Sequence, residues 1–219
     1  MKSFFAVLFA VAFFNTALFA TCALEQWYEF EHALRRGSYT VAEAEHNATR
    51  RVEALARQFE DFEGESAARV FPLEGFTSAN IDRPRRFFST VAQSQRETGF
   101  FSPQFGANEY LRLFVRYSRA RERGTINVIS VADGIVVFVQ SGTFGMGAGN
   151  YIWIFNPDRN KFFYYGGLAD ITVNVGDHVR MGQRIATLRP QRRGYLLNFT
   201  VLTFQRGTFL IHNFLNELP

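Results

Sequence analysis

The chain has 219 residues, 47% of them apolar and 26 of them Phe, enough for one good-sized domain or a small helical piece beside a β-domain. Its 24 basic residues against 20 acidic ones give a formal charge of +4, too even a balance for a nucleic-acid binder. The single cysteine, Cys22, excludes an internal disulfide, so the fold must rest on its core.

Residues 3–20 are almost wholly apolar and follow Lys2, with small residues at 20–23. A short positive start, an apolar run and small residues describe a secretory signal peptide over residues 1–23. Asn15 and Thr16 interrupt the run, which speaks against a permanent membrane anchor. Soluble cleavage after Ala20 or Ala23 is the favoured reading. The alternative is a loose lipobox with a lipid on Cys22, for which Thr21 is a poor match. Without residues 1–23 the net charge is +3, carried by 22 Arg and one Lys, Lys161. That modest charge suits acidic envelope polymers.

A helical hairpin is expected over residues 24–62. Trp27, Phe30 and Leu34 recur at helical spacing between Glu25 and Arg36, and Gly37 is a stop signal. Thr40 and Glu43 have capping-box spacing for a second helix running to about Phe62. Val41, Ala44, Ala48, Val52, Leu55, Phe59 and Phe62 form its apolar stripe. The two stripes bury each other or pack on a β-core; a partner-docking surface is the alternative. Residues 63–124 read as linker and lead-in strands. Within them 84–105 is loop with a short helix near 87–94, Tyr110–Tyr117 alternates as a strand, and 118–124 is a basic turn.

A β-core follows over residues 125–204, with a C-terminal tail at 205–219. Asp133-Gly134 turns into the apolar run to Val139. Tyr151–Phe155 and Phe162–Tyr165 flank the turn-forming stretch 156–161 as a hairpin. From Val173 to Leu188 the pattern is strand, turn at Gly176-Asp177, short link, turn at Gly182-Gln183, strand. Val173, Val175, Val179, Ile185 and Leu188 are its candidates for the core. Tyr195–Phe204 is one more strand. The fold class is mainly β with an N-terminal α-helical hairpin, its core antiparallel.

Three further stretches join these: Gly149-Asn-Tyr-Ile-Trp-Ile154, Tyr165-x-Gly167-Leu168 and Leu196-Leu-Asn-Phe-Thr-Val-Leu202. With Asp133-Gly134, Gly176-Asp177-x-Val179 and Gly182-Gln183-x-Ile185, their order resembles the lysostaphin-type zinc peptidases that cleave peptidoglycan cross-bridges. The resemblance covers residues 125–204, about a third of the chain, and extends to a lead-in strand near 69–82. It implies an antiparallel β-core of the duplicated hybrid-motif kind and, in active members, a zinc held by the His and Asp of HxxxD and the second His of HxH. Three protein ligands leave one zinc position open for water, whose pKa the metal lowers. A helper His comes from Y-x-H-L and another is the first His of HxH.

This sequence departs from that pattern at every catalytic position. Gly167 replaces the Y-x-H-L histidine, Leu196 the first His of HxH, and Asn198 the ligand. Asn108 and Arg112 take the HxxxD positions in one register, Phe114 and Ser118 in a later one. The loop before HxH holds Arg189, Arg192 and Arg193, and cations there oppose a metal. Nothing else rebuilds a site: His32 and His46 fall in helices, His178 in a turn and His212 in the tail. Asp133 and Asp177 are turn residues first, and Asp170 can cap a strand end. Serines have no nearby histidine.

The expected function is therefore that of an exported, non-catalytic relative that binds peptidoglycan peptides or regulates a wall hydrolase, with no metal or other cofactor and no nucleic acid. Arg189, Arg192, Arg193 and Asn198 are its candidate ligand contacts. Active hydrolysis through an unrecognised site is one alternative. A biotinyl/lipoyl-like periplasmic adaptor is another, with Lys161 the one lysine set in a hairpin. A structural envelope protein is the last.

Overall fold

The computed structural model describes residues 23–33, 38–65, 67, 70–77, 85–90, 107–116, 125–141, 150–188, 190–205 and 208–211. The leader, Cys22, Leu34–Gly37, Ser118–Gly124, Arg189 and His212 lie outside them. Two helices, α1 (23–33) and α2 (Val41–Gln58), precede the strands. These are β1 (Arg85–Thr90), β2 (Ala107–Arg116), β3 (Asn127–Ile129), β4 (Gly134–Gln140), β5 (Asn150–Asn156), β6 (Lys161–Leu168), β7 (His178–Val179), β8 (Arg184–Thr187), β9 (Pro190–Gln191), β10 (Gly194–Gln205) and β11 (Thr208–Ile211). The large antiparallel sheet runs β1-β2-β10-β6-β5-β4-β7, with β9 and β11 also paired to β10; β3 and β8 pair separately.

Alternation along the strands sends side chains to both faces of this sheet, and both are covered. On one face Val136, Ile152, Ile154, Phe163, Tyr165, Leu197 and Phe199 pack with Val128, Ile185, Ala186 and Leu188 of the small sheet and its approaches. On the other, Phe138, Tyr151, Trp153, Phe155, Phe162, Tyr164, Leu202 and Phe204 meet Trp27 and Phe30 of α1 and Ala44, Ala48, Val52 and Leu55 of α2. Trp27 stacks on Phe162 with ring centroids 5.1 Å apart. The helical stripes therefore pack on the β-core. This double cover also explains why β4, β5 and β6 are buried nearly end to end instead of alternating.

The local signals hold where chemistry is strong. Thr40 Oγ1 accepts from the Glu43 N–H, and the Glu43 carboxylate accepts from the Thr40 N–H at 2.9 Å. The β5–β6 hairpin closes through a 3-10 turn at Pro157–Arg159, with Asn160 left-handed at φ 48°. Gly176 and Gly182 take φ of 93° and 81°. Asp133 ties two loops down: its carboxylate accepts from the Glu65 N–H at 2.8 Å and the Met181 N–H at 2.7 Å. Asp177 accepts from the Asn174 N–H, and Asp170 exchanges bonds with Thr187 at the end of β6.

Several expectations are corrected. Helix α2 stops at Gln58, capped by the Phe59 N–H on the Leu55 carbonyl, and Phe59–Asp61 form a turn where the helix was expected to reach Phe62. Residues 85–90 are a strand paired to β2, so the first part of the short helix expected near 87–94 gives way to cross-strand pairing that propensity does not show, while 91–105 lie outside the described residues. Among the described residues the lead-in makes a single bridge, Leu73 to Val128. The segment around Val173–Val175 is irregular, Val175 is half-buried, and the strand begins at His178. The tail contributes β11, whose pairing partner is the far end of β10.

Candidate functional site

Strand β10 is the spine of the site, because it pairs with β2 on one side and β6 on the other. Leu196 lies opposite Phe114, and Asn198 lies opposite both Arg112 of β2 and Gly166 of β6. Leu197 and Phe199 are buried among the small-sheet contacts. Their alternates Leu196, Asn198 and Thr200 face the other way and are half-buried, as is Phe114 between buried Leu113 and Val115. That is the same sheet face on which the helices sit. Along β10 the burial changes character: positions 196–200 alternate, whereas 201–204 are all buried, Leu202 and Phe204 under the helical layer and Val201 on the opposite face.

Gly167 lies beside them through a bulge in β6. Asn150 pairs with Leu168 and Tyr151 with Gly166, so Gly167 is skipped. Its φ is 85°, and a Cβ built on it would strike the Leu196 carbonyl oxygen. Gly194, at the start of β10, is similarly pressed on the Val115 carbonyl and approaches the Phe114 ring. Behind the floor, Tyr165 is fully buried. Its hydroxyl accepts from the Val131 N–H at 2.9 Å. Burial raises its pKa far above the ordinary tyrosine value, outweighing the opposing hydrogen bonds to Val131 and Ser130.

The fold thus brings Gly167, Leu196, Asn198, Arg112 and Phe114 together. Asn108 is not among them; it pairs with Ser89, four residues further along β2. Arg192 and Arg193 are exposed at the turn from β9 into β10, four and three residues before Leu196. The histidines remain dispersed: His46 and His178 are exposed, with His178 beside Phe59 and Phe62, and His32 packs against Tyr28 and Phe138. Trp153, Phe163 and Tyr165 are core residues. Lys161 is only 6% exposed, a poor position for a modified carrier lysine.

The chemistry of this donor set does not fit zinc. Among the described residues no three His, Cys, Asp or Glu side chains gather where one ion could reach them. Leu196 and Gly167 offer no donor, and the Asn198 Oδ1, buried and without a hydrogen-bond partner, is one neutral oxygen where zinc takes three protein ligands. The sequence reading missed the Gly167 bulge and the Gly194 contact. The signal was there: a Gly-Gly pair inside a strand marks a bulge or a close backbone approach.

The model of peptidase family M23 matches residues 118–207. The curated proteins give no match. Among solved structures, the chain is similar to a zinc-containing peptidase from Vibrio cholerae, with 23% identity, TM-score 0.41, 67% of this chain and 39% of that one. It is similar to lysostaphin, with 19% identity, TM-score 0.38, 62% of this chain and 53% of that one. A third likeness is to the complex of SpoIIIAH and SpoIIQ, with 15% identity, TM-score 0.43, 65% of this chain and 95% of the matched one. The chain spans well under two thirds of the first two structures, and at these scores neither activity nor partner transfers from them. The resemblance read from Asp133-Gly134, Gly176-Asp177 and Leu196–Leu202 is met by the family match over the same stretch: residues 118–207 match the model of peptidase family M23.

Proposed function

We propose that this chain is an exported, non-catalytic protein with an M23 domain, acting in the cell envelope by binding stem peptides of peptidoglycan or regulating a wall hydrolase. One observation carries the reading. Gly167, Leu196 and Asn198 are gathered on the β6–β10 floor and keep the frame of a peptidase site, yet they supply no donor set for the metal. The later HxxxD register suits this frame better. Residues four apart on an unbroken strand are about 13 Å apart and cannot share one ion, which rules against Asn108 and Arg112 within β2. Ser118 of the later register lies outside the described residues.

What the site retains is half-buried apolar and amide surface at Phe114, Leu196 and Asn198, with exposed Arg192 and Arg193 at its end. Arginine pairs bidentately with carboxylates, and stem peptides carry free ones. Arg189 belongs to the same basic run in sequence. Purified protein is expected to hold no stoichiometric zinc, to release no soluble muropeptides, and to sediment with peptidoglycan in a salt-sensitive way. Arg192→Ala with Arg193→Ala should weaken that binding by on the order of 1 kcal/mol or less per exposed contact. Elemental analysis, a muropeptide release assay and the pull-down check each part. One zinc per chain with hydrolysis would reject the reading; equal pull-down at low salt would reject the arginines. Export is checked by mass spectrometry of the native protein, which should begin between Thr21 and Leu24.

A further inference from the structure

Resting on that reading, we infer that one corner of the former metal site is closed by backbone, so that restoring the family's side chains cannot reopen it. The position of the Y-x-H-L histidine is Gly167, in a bulge with φ 85° and its Cα against the Leu196 carbonyl. Two separate obstacles follow. Positive φ strains any L side chain, and a Cβ there would overlap the oxygen of the neighbouring strand. The obstruction is backbone, which no rotamer change relieves. Gly194 repeats the arrangement at the other end of the floor, against the Val115 carbonyl. Between the two glycines β10 lies in continuous register with β2 and, from Asn198 onward, with β6. The Leu196 carbonyl oxygen thus occupies the space into which a side chain at 167 would have to project.

Gly182 provides the matched control. Its φ is 81°, and an added Cβ there meets nothing within 4 Å. Gly182→Ala therefore reports the strain of positive φ alone, and Gly167→Ala reports strain plus the Leu196 contact. The expected result is a Tm loss in Gly167→Ala at least twice that in Gly182→Ala, or no folded protein at all. A second series starts from Leu196→His with Asn198→His, at half-buried positions of ordinary strand backbone. This double variant should fold, and adding Gly167→His should lower its Tm sharply or abolish folding, with or without zinc. Equal Tm losses in the two alanine variants, or a triple variant as stable as the double one, would overturn the inference. Hydrolysis by the wild type would reject the non-catalytic reading while leaving the Gly167 comparison intact, so the two failures are distinguishable.

Discussion

Tyr165 shows how a single residue serves the frame and not the chemistry. A buried phenol beside the β6–β10 floor invites a catalytic role, but its hydroxyl is engaged by the Val131 N–H in the loop before β4. Ser130 also bonds it, and the Ser130 hydroxyl donates to the Ala132 carbonyl at 2.6 Å. The whole arrangement holds the 130–132 turn. Tyr165→Phe keeps the packing and leaves the Val131 N–H unsatisfied, at a cost of about 1–3 kcal/mol. Chemical denaturation should show that loss with no change in wall binding. A loss of binding at unchanged stability would place the hydroxyl in the ligand site instead.

Among the elements, α2 is the one whose ends and faces are most completely explained. Its N-terminus is closed by the Thr40–Glu43 box, and Ala44, Ala48, Val52 and Leu55 are buried against the sheet. The Glu43 carboxyl is held below its usual range, first by the Thr40 N–H and then by the Thr40 hydroxyl. A depressed carboxyl stabilises the fold above its unfolded pKa of about 4.3, and that contribution is lost as pH falls through the folded value. Thr40→Ala should cost about 1 kcal/mol near neutral pH. Glu43→Gln should flatten the stability loss below about pH 4. Denaturation midpoints across pH 3–7 check both, and a Thr40→Ala penalty that grows on acidification would contradict the assignment.

At the scale of the molecule, three layers are stacked: the helical pair, the large sheet, and the small β3–β8 sheet with its loops. The helical layer rests on aromatic strands, Trp27 on Phe162 and the α2 stripe beside Phe204. It covers the sheet face that carries Leu196 and Asn198, but only from about Leu202 onward. Removing its anchor tests whether the layers are one cooperative unit. Trp27→Ala deletes a fully buried side chain and should cost about 3–5 kcal/mol, with increased binding of a hydrophobic dye as Phe138, Tyr151 and Phe162 become exposed. Two separated unfolding transitions in the wild type would show instead that the helices are an independent unit.

Sequence alone determined the parts of this protein that depend on near neighbours. The α2 cap needs two residues three apart, the hairpin at 156–161 needs Pro157 and Asn160, and the turns at Gly176 and Gly182 need a residue tolerant of positive φ. The ordered series of such signals also made the family frame legible, and with it the absence of histidine at 167, 196 and 198. Tertiary structure alone decided what depends on pairing across long separations. Strand β1 and strand β11 exist because β2 and β10 offer them partners, and Val137 and Phe138 are both buried because a bulge and the helical layer cover them. Whether Gly167 was merely a missing histidine or a closed backbone contact could not be read from its identity. That depended on the register between β6 and β10, which seats its Cα on the Leu196 carbonyl.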